Sequence, residues 1–214
     1  SAASDVYKRQ IKSKKKWMRA HREFEWPDGY SHQSITELNL FYDRYLKDIH
    51  NCWESTPRVR LEVMDAKEFL FAKDRPETSF PLKRTEYRKL YLDAANHALS
   101  WEPVTSESKV SYDGNTGVTT FDIKFTEDTE ITGYMKLHMW VTAEEYNDAD
   151  IFINIQKLDT KGEWLPVSVL GEPHPGTWGK MRISHRALDE EKSTHFQPIQ
   201  SHLKEEKIQP GEVV

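Results

Sequence analysis

From Pro57 onward the apolar residues recur with a period of two, and this limits the fold more than any other feature of the chain. Val59, Leu61 and Val63 alternate with Arg60 and Glu62, which places the apolar side chains on one face of an extended segment and the charges on the other. The same alternation puts Ile131, Met135, Leu137, Met139 and Val141 on one face of residues 131–141. Ile151, Ile153 and Ile155 form a further strand that closes near Lys161-Gly162. Shorter candidates lie at 89–92, 109–112 and 119–125. Turn signals separate them, among them Asp113-Gly114-Asn115, Thr160-Lys161-Gly162 and Pro173-His174-Pro175-Gly176. Many short strands divided by tight turns predict a mainly β fold, a β-sandwich of jelly-roll type. The charged stretch Leu188–Ser193 is expected to cross the surface.

One helix precedes this region. Ser34-Ile35-Thr36-Glu37 has the capping-box pattern, in which serine and glutamate side chains satisfy opposed backbone N–H groups. Ile35, Leu38, Phe41, Tyr42, Tyr45, Leu46 and Ile49 then recur at spacings of three and four, predicting an amphipathic helix over about 35–48 that docks on another layer. The first ten residues, SAASDVYKRQ, share neither period and are set aside as an artefactual leader. The closing Ile208–Val214 segment reads as a Pro-Gly turn opening a strand, and the chain is expected to be a fragment of something longer.

Charge and composition narrow the function. Thirty Lys and Arg against 35 Asp and Glu give a net charge of -5, the wrong sign for general binding to phosphate backbones. The Lys12, Lys14, Lys15 and Lys16 cluster reads as a solvated face. No apolar run is long enough to span a bilayer, and no signal-peptide core is visible. Cys52 is the single cysteine, so neither an intramolecular disulfide nor a cysteine-based zinc site can form. A reducing cytoplasm fits these features best. A mean hydropathy of -0.78 is low for a self-contained globule, but 12% aromatic residues supply core material.

Familiar catalytic motifs are missing: there is no G-x-S-x-G, H-E-x-x-H, Walker A loop or G-x-G-x-x-G. The carboxylates at Glu144, Glu145, Asp148 and Asp150 lack the alternation and turn glycine of a calcium loop, and read as a strand-connecting loop. No cofactor is implied. The nine histidines include no helical i, i+4 pair, and His138 sits on the polar face of 131–141. By periodicity alone His21 is a surface histidine, set between Lys16-Trp17-Met18-Arg19 and Trp26-Pro27.

Taken in order, several segments resemble one family. Lys16–His21, Glu25-Trp26, Tyr30, Phe41–Lys47, Asn51-Cys52-Trp53, Thr56–Leu61 and Leu90–Asp93 carry the likeness. Val110–Asp113, Glu127–Gly133, Leu170–Glu172, Ser184–Arg186 and Pro210–Glu212 continue it. These resemble the cocaine-esterase and X-Pro dipeptidyl-peptidase-like (CocE/NonD) hydrolases over roughly residues 13–214. The resemblance implies an α/β-hydrolase domain with a Ser-Asp-His triad, followed by a jelly-roll domain packed against it. Residues 11–56 would then be the end of the hydrolase domain, and 57–214 an incomplete jelly roll. His21 takes the family's Trp-x-x-x-His position and would be the catalytic histidine. Many members have glycine directly after it, whereas this chain has Arg22.

The nucleophilic serine and the orienting aspartate would lie upstream, on the hydrolase domain against which this chain packs. The substrate would be a small acyl ester, amide or X-Pro peptide, and the chain alone would be inactive. The competing reading is a non-catalytic β-sandwich binding module, for example one stacking sugars on Trp164 or Trp178. The stretch Lys16–Asp48 favours the enzyme, because a free-standing module needs neither the histidine loop nor a docking helix.

Overall fold

The computed structural model of the protein describes residues 11–66, 70–169, 172–174 and 176–214. The leader assigned to residues 1–10 and part of the Leu170–Glu172 motif lie outside them. The chain divides into two compact units, one comprising the residues up to Lys83 with Tyr134–Val214 and the other Arg84–Gly133. It is mainly β, of the β-sandwich class, and among the described residues its α-helices lie near the front of the chain. No helix among the described residues is long and apolar enough to cross a membrane.

The first unit opens with a β-α-β turn of chain. Strand β1 (Met18–Ala20), short helix α1 (Glu25–Gly29), helix α2 (His32–Leu46) and strand β2 (Val59–Met64) follow in order, and β2 pairs with β3 (Leu70–Glu77). β1 and β2 are parallel, with Met18 opposite Val59, Arg19 opposite Arg60 and Ala20 opposite Leu61; β2 and β3 are antiparallel. A parallel pair requires a crossover, and α1 and α2 supply it. Period-two alternation then sorts the side chains. Met18, Val59 and Leu61 form a core with Leu82, against which Ala20 and Phe80 pack; each such side chain contributes about 1.5–3 kcal/mol by leaving water. Arg19 and Arg60 instead bond to helix α2, through Ser34 and Glu37.

Helix α2 starts three residues earlier than the capping-box pattern predicts. Its N-cap is Ser31, whose Oγ accepts the Ser34 N–H at 3.2 Å. Ser34 is buried within the first turn, and Glu37 is drawn away from the helix end into a two-pronged ion pair with Arg60 at 2.8 and 2.5 Å. Tertiary bonds outcompete the local box. The helix ends at Leu46, shortly before Asp48 adopts a left-handed backbone at φ 53°, a conformation that cannot continue it.

The single apolar stripe read from the sequence is divided in the fold. Phe41 and Tyr45 pack into an aromatic cluster with Trp17 and Trp53, ring centroids 5.0–6.0 Å apart. Trp17 Nε1 donates to the Thr56 carbonyl at 3.0 Å, and the Arg58 guanidinium lies 4.0 Å from its ring centre. Ile35, Leu38, Tyr42 and Leu46 remain exposed, Leu46 at 76%.

The rest of the unit is antiparallel. β6 (Asp150–Ile155) pairs with β9 (Thr177–Arg182), and β7 (Val167–Val169) forms a hairpin with β8 (Glu172–His174). Gly162 and Gly176 take positive φ, 84° and 92°, at two of the expected turns. The expected strand at 131–141 is not one. Val141 exchanges two hydrogen bonds with Val214, while Ile131, Met135 and Leu137 are exposed. Alternation supplies an apolar face, but only a neighbouring backbone makes the segment a strand.

In the second unit, β4 (Tyr91–Asp93) and β5 (Ala98–Ser100) form a hairpin. The Asp93 carboxylate caps its turn, accepting the Ala95 and Asn96 N–H groups at 3.1 Å. Residues 109–112 are not a strand, and 119–125 contributes a single parallel bridge, Asp122 to Ala98. The Asp113-Gly114-Asn115 turn forms as expected, with Asp113 Oδ1 accepting from the Asn115 and Thr116 N–H groups.

Candidate catalytic histidine

His21 is the first residue after β1, where the chain leaves the sheet and bends toward α1. Strand β1 is held at its start and just past its end. Met18 N–H donates to the Arg58 carbonyl at 3.0 Å, and the N–H of Arg22 donates to Glu62 Oε2 on β2 at 2.9 Å. This last bond answers the departure at Arg22. The position following the histidine is anchored by its backbone, a contact that does not depend on which side chain it carries.

The imidazole is about three-quarters buried, its side chain 24% exposed. Nε2 lies 3.3 Å from Asp28 Oδ2 on α1, and Nδ1 is fully buried without a hydrogen-bond partner among the described residues. Asp28 is itself tied down. Its Oδ1 pairs with the Arg19 guanidinium, and its Oδ2 accepts the Ser34 hydroxyl at 3.2 Å; Arg19 also donates to Ser34 Oγ at 3.1 Å. A histidine at a strand end, facing a carboxylate, is an arrangement suited to proton transfer.

Sequence reasoning singled out His21 but missed Asp28, Arg19 and Ser34. Asp28 lies seven positions after His21, but residues 21–24 belong to neither helix nor strand, so no single period relates the two. The Glu25-Trp26-Pro27-Asp28 run was the available signal, since proline can sit in the first turn of a helix and a helix there folds Asp28 back over the strand end.

Other chemistry-bearing residues have structural partners. Asp148 accepts from the Ser184 N–H and hydroxyl at 3.0 and 2.7 Å, and Asp150 forms a two-pronged pair with Arg182, both distances 2.8 Å. Burial would raise the Asp148 carboxyl, but the Ser184 and Ala149 donors outweigh it and hold it below the usual range. Trp164 and Trp178 are both exposed, at 43% and 55%, and Cys52 is a free, exposed thiol.

The chain thus joins a β-α-β corner that carries His21 to a mainly β remainder, and known proteins share this arrangement. Residues 51–214 match the X-Pro dipeptidyl-peptidase C-terminal non-catalytic domain. Two crystal structures of a CocE/NonD family hydrolase from Staphylococcus aureus superpose with a TM-score of 0.89 at 34% sequence identity, over 96% of this chain. No curated protein sequence matches the chain. The chain belongs to the CocE/NonD and X-Pro dipeptidyl-peptidase-like hydrolase family. It spans 37–38% of the length of the Staphylococcus aureus chains it matches.

Proposed function

We propose that this chain is the carboxy-terminal part of a serine hydrolase that cleaves ester or amide bonds of small acyl substrates, X-Pro peptides among them, and that His21 is its catalytic histidine. The supporting observation is the placement of His21 at the end of β1, inside a chain superposable on a family hydrolase. In this reading the imidazole takes the proton of a serine hydroxyl as that oxygen attacks the acyl carbonyl. It then returns the proton to the leaving alcohol or amine, and water repeats the cycle on the acyl-enzyme. The serine and the aspartate that orients the imidazole belong to a preceding hydrolase domain. A histidine without its nucleophile offers no acyl-enzyme route, so this chain alone is inactive. The chemistry calls for no metal or organic cofactor.

The exposed Ile35, Leu38, Tyr42 and Leu46 stripe supports packing against that preceding domain, since a contiguous apolar face is unfavourable in water. The β-sandwich then shapes the substrate pocket and shields the intermediate. The test is made in the full-length parent enzyme, with ester and X-Pro substrates. Replacing His21 with alanine is expected to lower kcat on the order of 1,000-fold or more, by analogy with loss of any triad member. Wild-type turnover by the folded variant would remove His21 from the mechanism.

A further inference from the structure

His21 stands between two residues that strand β2 holds. Ala20, just before it, pairs with Leu61 in the parallel ladder. Arg22, just after it, donates its N–H to Glu62 Oε2 at 2.9 Å. Consecutive residues of β2 therefore fix the chain on either side of the histidine, one by ladder pairing and one by a side chain. The Cα that carries the imidazole is pinned from both neighbours.

Glu62 sits where the sheet changes register. Leu61 pairs with Arg75 and Val63 with Ala72, so β3 carries one residue more than β2 across this stretch, and Asp74 there takes a left-handed backbone at φ 48°. A slip of this kind increases the local twist and re-aims side chains. By period two Glu62 shares the face of Arg60, which bonds Glu37 of α2 at 2.8 and 2.5 Å. Arg60 thus holds the crossover at its helix, and Glu62 holds it at the histidine loop. Glu62 is half-buried, and its carboxylate meets a backbone N–H just where the parallel ladder has stopped. A misplacement of 1 Å in a reacting group can cost about 100-fold in rate.

We propose that Glu62 is a positioning residue for His21. By accepting the Arg22 N–H it sets the path of the chain out of β1, and so the place from which the imidazole exchanges a proton with the serine. The role rests on the assignment of His21 as the catalytic histidine. Glu62 touches no reacting atom. It lies in the part of the chain that matches the non-catalytic domain, which on this view takes part in the reaction by holding the histidine loop.

The experiment uses the full-length parent enzyme. kcat and KM on one ester substrate, and the melting temperature, are measured for Glu62→Ala, Glu62→Gln and His21→Ala, with assays well below the lowest transition. Glu62→Ala removes the acceptor and is expected to lower kcat on the order of 10- to 100-fold, with KM within about twofold of wild type. Glu62→Gln keeps an oxygen for the Arg22 N–H and should bring kcat back to within several-fold of wild type. A mere brace of the sheet would lower the melting temperature and leave kcat alone. Wild-type kcat in Glu62→Ala, or a rise in KM alone, would overturn the proposal. Equal losses in the Ala and Gln variants would overturn it too, since they would trace the effect to charge. Should Glu62→Ala fail to fold, Glu62→Thr decides. Threonine suits a strand, but its shorter side chain draws the acceptor back from Arg22, so the same loss of kcat is expected and wild-type kcat would refute the role. Wild-type activity in His21→Ala is a different result. It would remove the histidine assignment, and the role of Glu62 with it.

Discussion

Glu37 and Arg60 show how one ion pair ties helix to sheet. The Arg60 hydrogen bonds pull the Glu37 carboxyl below its ordinary 4.5 despite the opposing effect of burial. A carboxyl whose folded pKa is depressed adds stability that is fully present above the unfolded value and lost as pH falls through the folded one. Wild-type melting temperature should therefore fall more steeply below pH 4.5 than that of Glu37→Gln, and parallel slopes would show that the pair adds nothing. Ser184 is the other residue on which local structure turns. It is fully buried, and both its N–H and its hydroxyl serve Asp148. Ser184→Ala leaves the carboxylate short of one donor and should cost about 1–3 kcal/mol in urea denaturation.

At the scale of elements, helix α2 carries two separable contributions. Its cap is Ser31, so Ser31→Ala should cost about 1 kcal/mol. Ser34→Ala should act through Asp28 and Arg19 instead. Thermal denaturation of the two variants and their double mutant separates these, because independent sites add and coupled ones do not. The inner face is the aromatic cluster. Phe41 touches Trp17, Tyr45 and Trp53 but is only half-buried. Its replacement by alanine should cost about 2–3 kcal/mol, below the roughly 3–5 expected for a fully enclosed ring.

For the molecule as a whole, the outer face of α2 decides behaviour in solution. Leu38 and Leu46 are exposed beside Ile35 and Tyr42, and Trp26 on α1 stacks at 6.0 Å on Tyr30, the residue that caps its end, with both rings exposed. Charging the helix stripe with Leu38→Lys and Leu46→Lys should raise the solubility of this chain on its own. The same pair should lower the melting temperature of the full-length enzyme, because the charges would be buried there. Light scattering and calorimetry on both proteins check this. A gain in both would mean that nothing packs on the stripe.

By itself the sequence determined the period-two strands at 59–64 and 150–155, the helix, several turns and the position of His21. Each of these is written in a local pattern, whether alternation, helical spacing, a turn dipeptide or a motif order. The tertiary structure decided what depends on distant partners. Residues 131–141 alternate as well as any strand, yet are not one, because pairing is a property of two segments. Ser34 reads as a cap and becomes a buried bond to Arg19 and Asp28, because the stronger charged partners arrive from β1 and α1. Asp28 acquired its place beside His21 only when α1 folded back over the strand end. No spacing in the chain encodes that meeting, since it arises from the packing of a helix against a sheet.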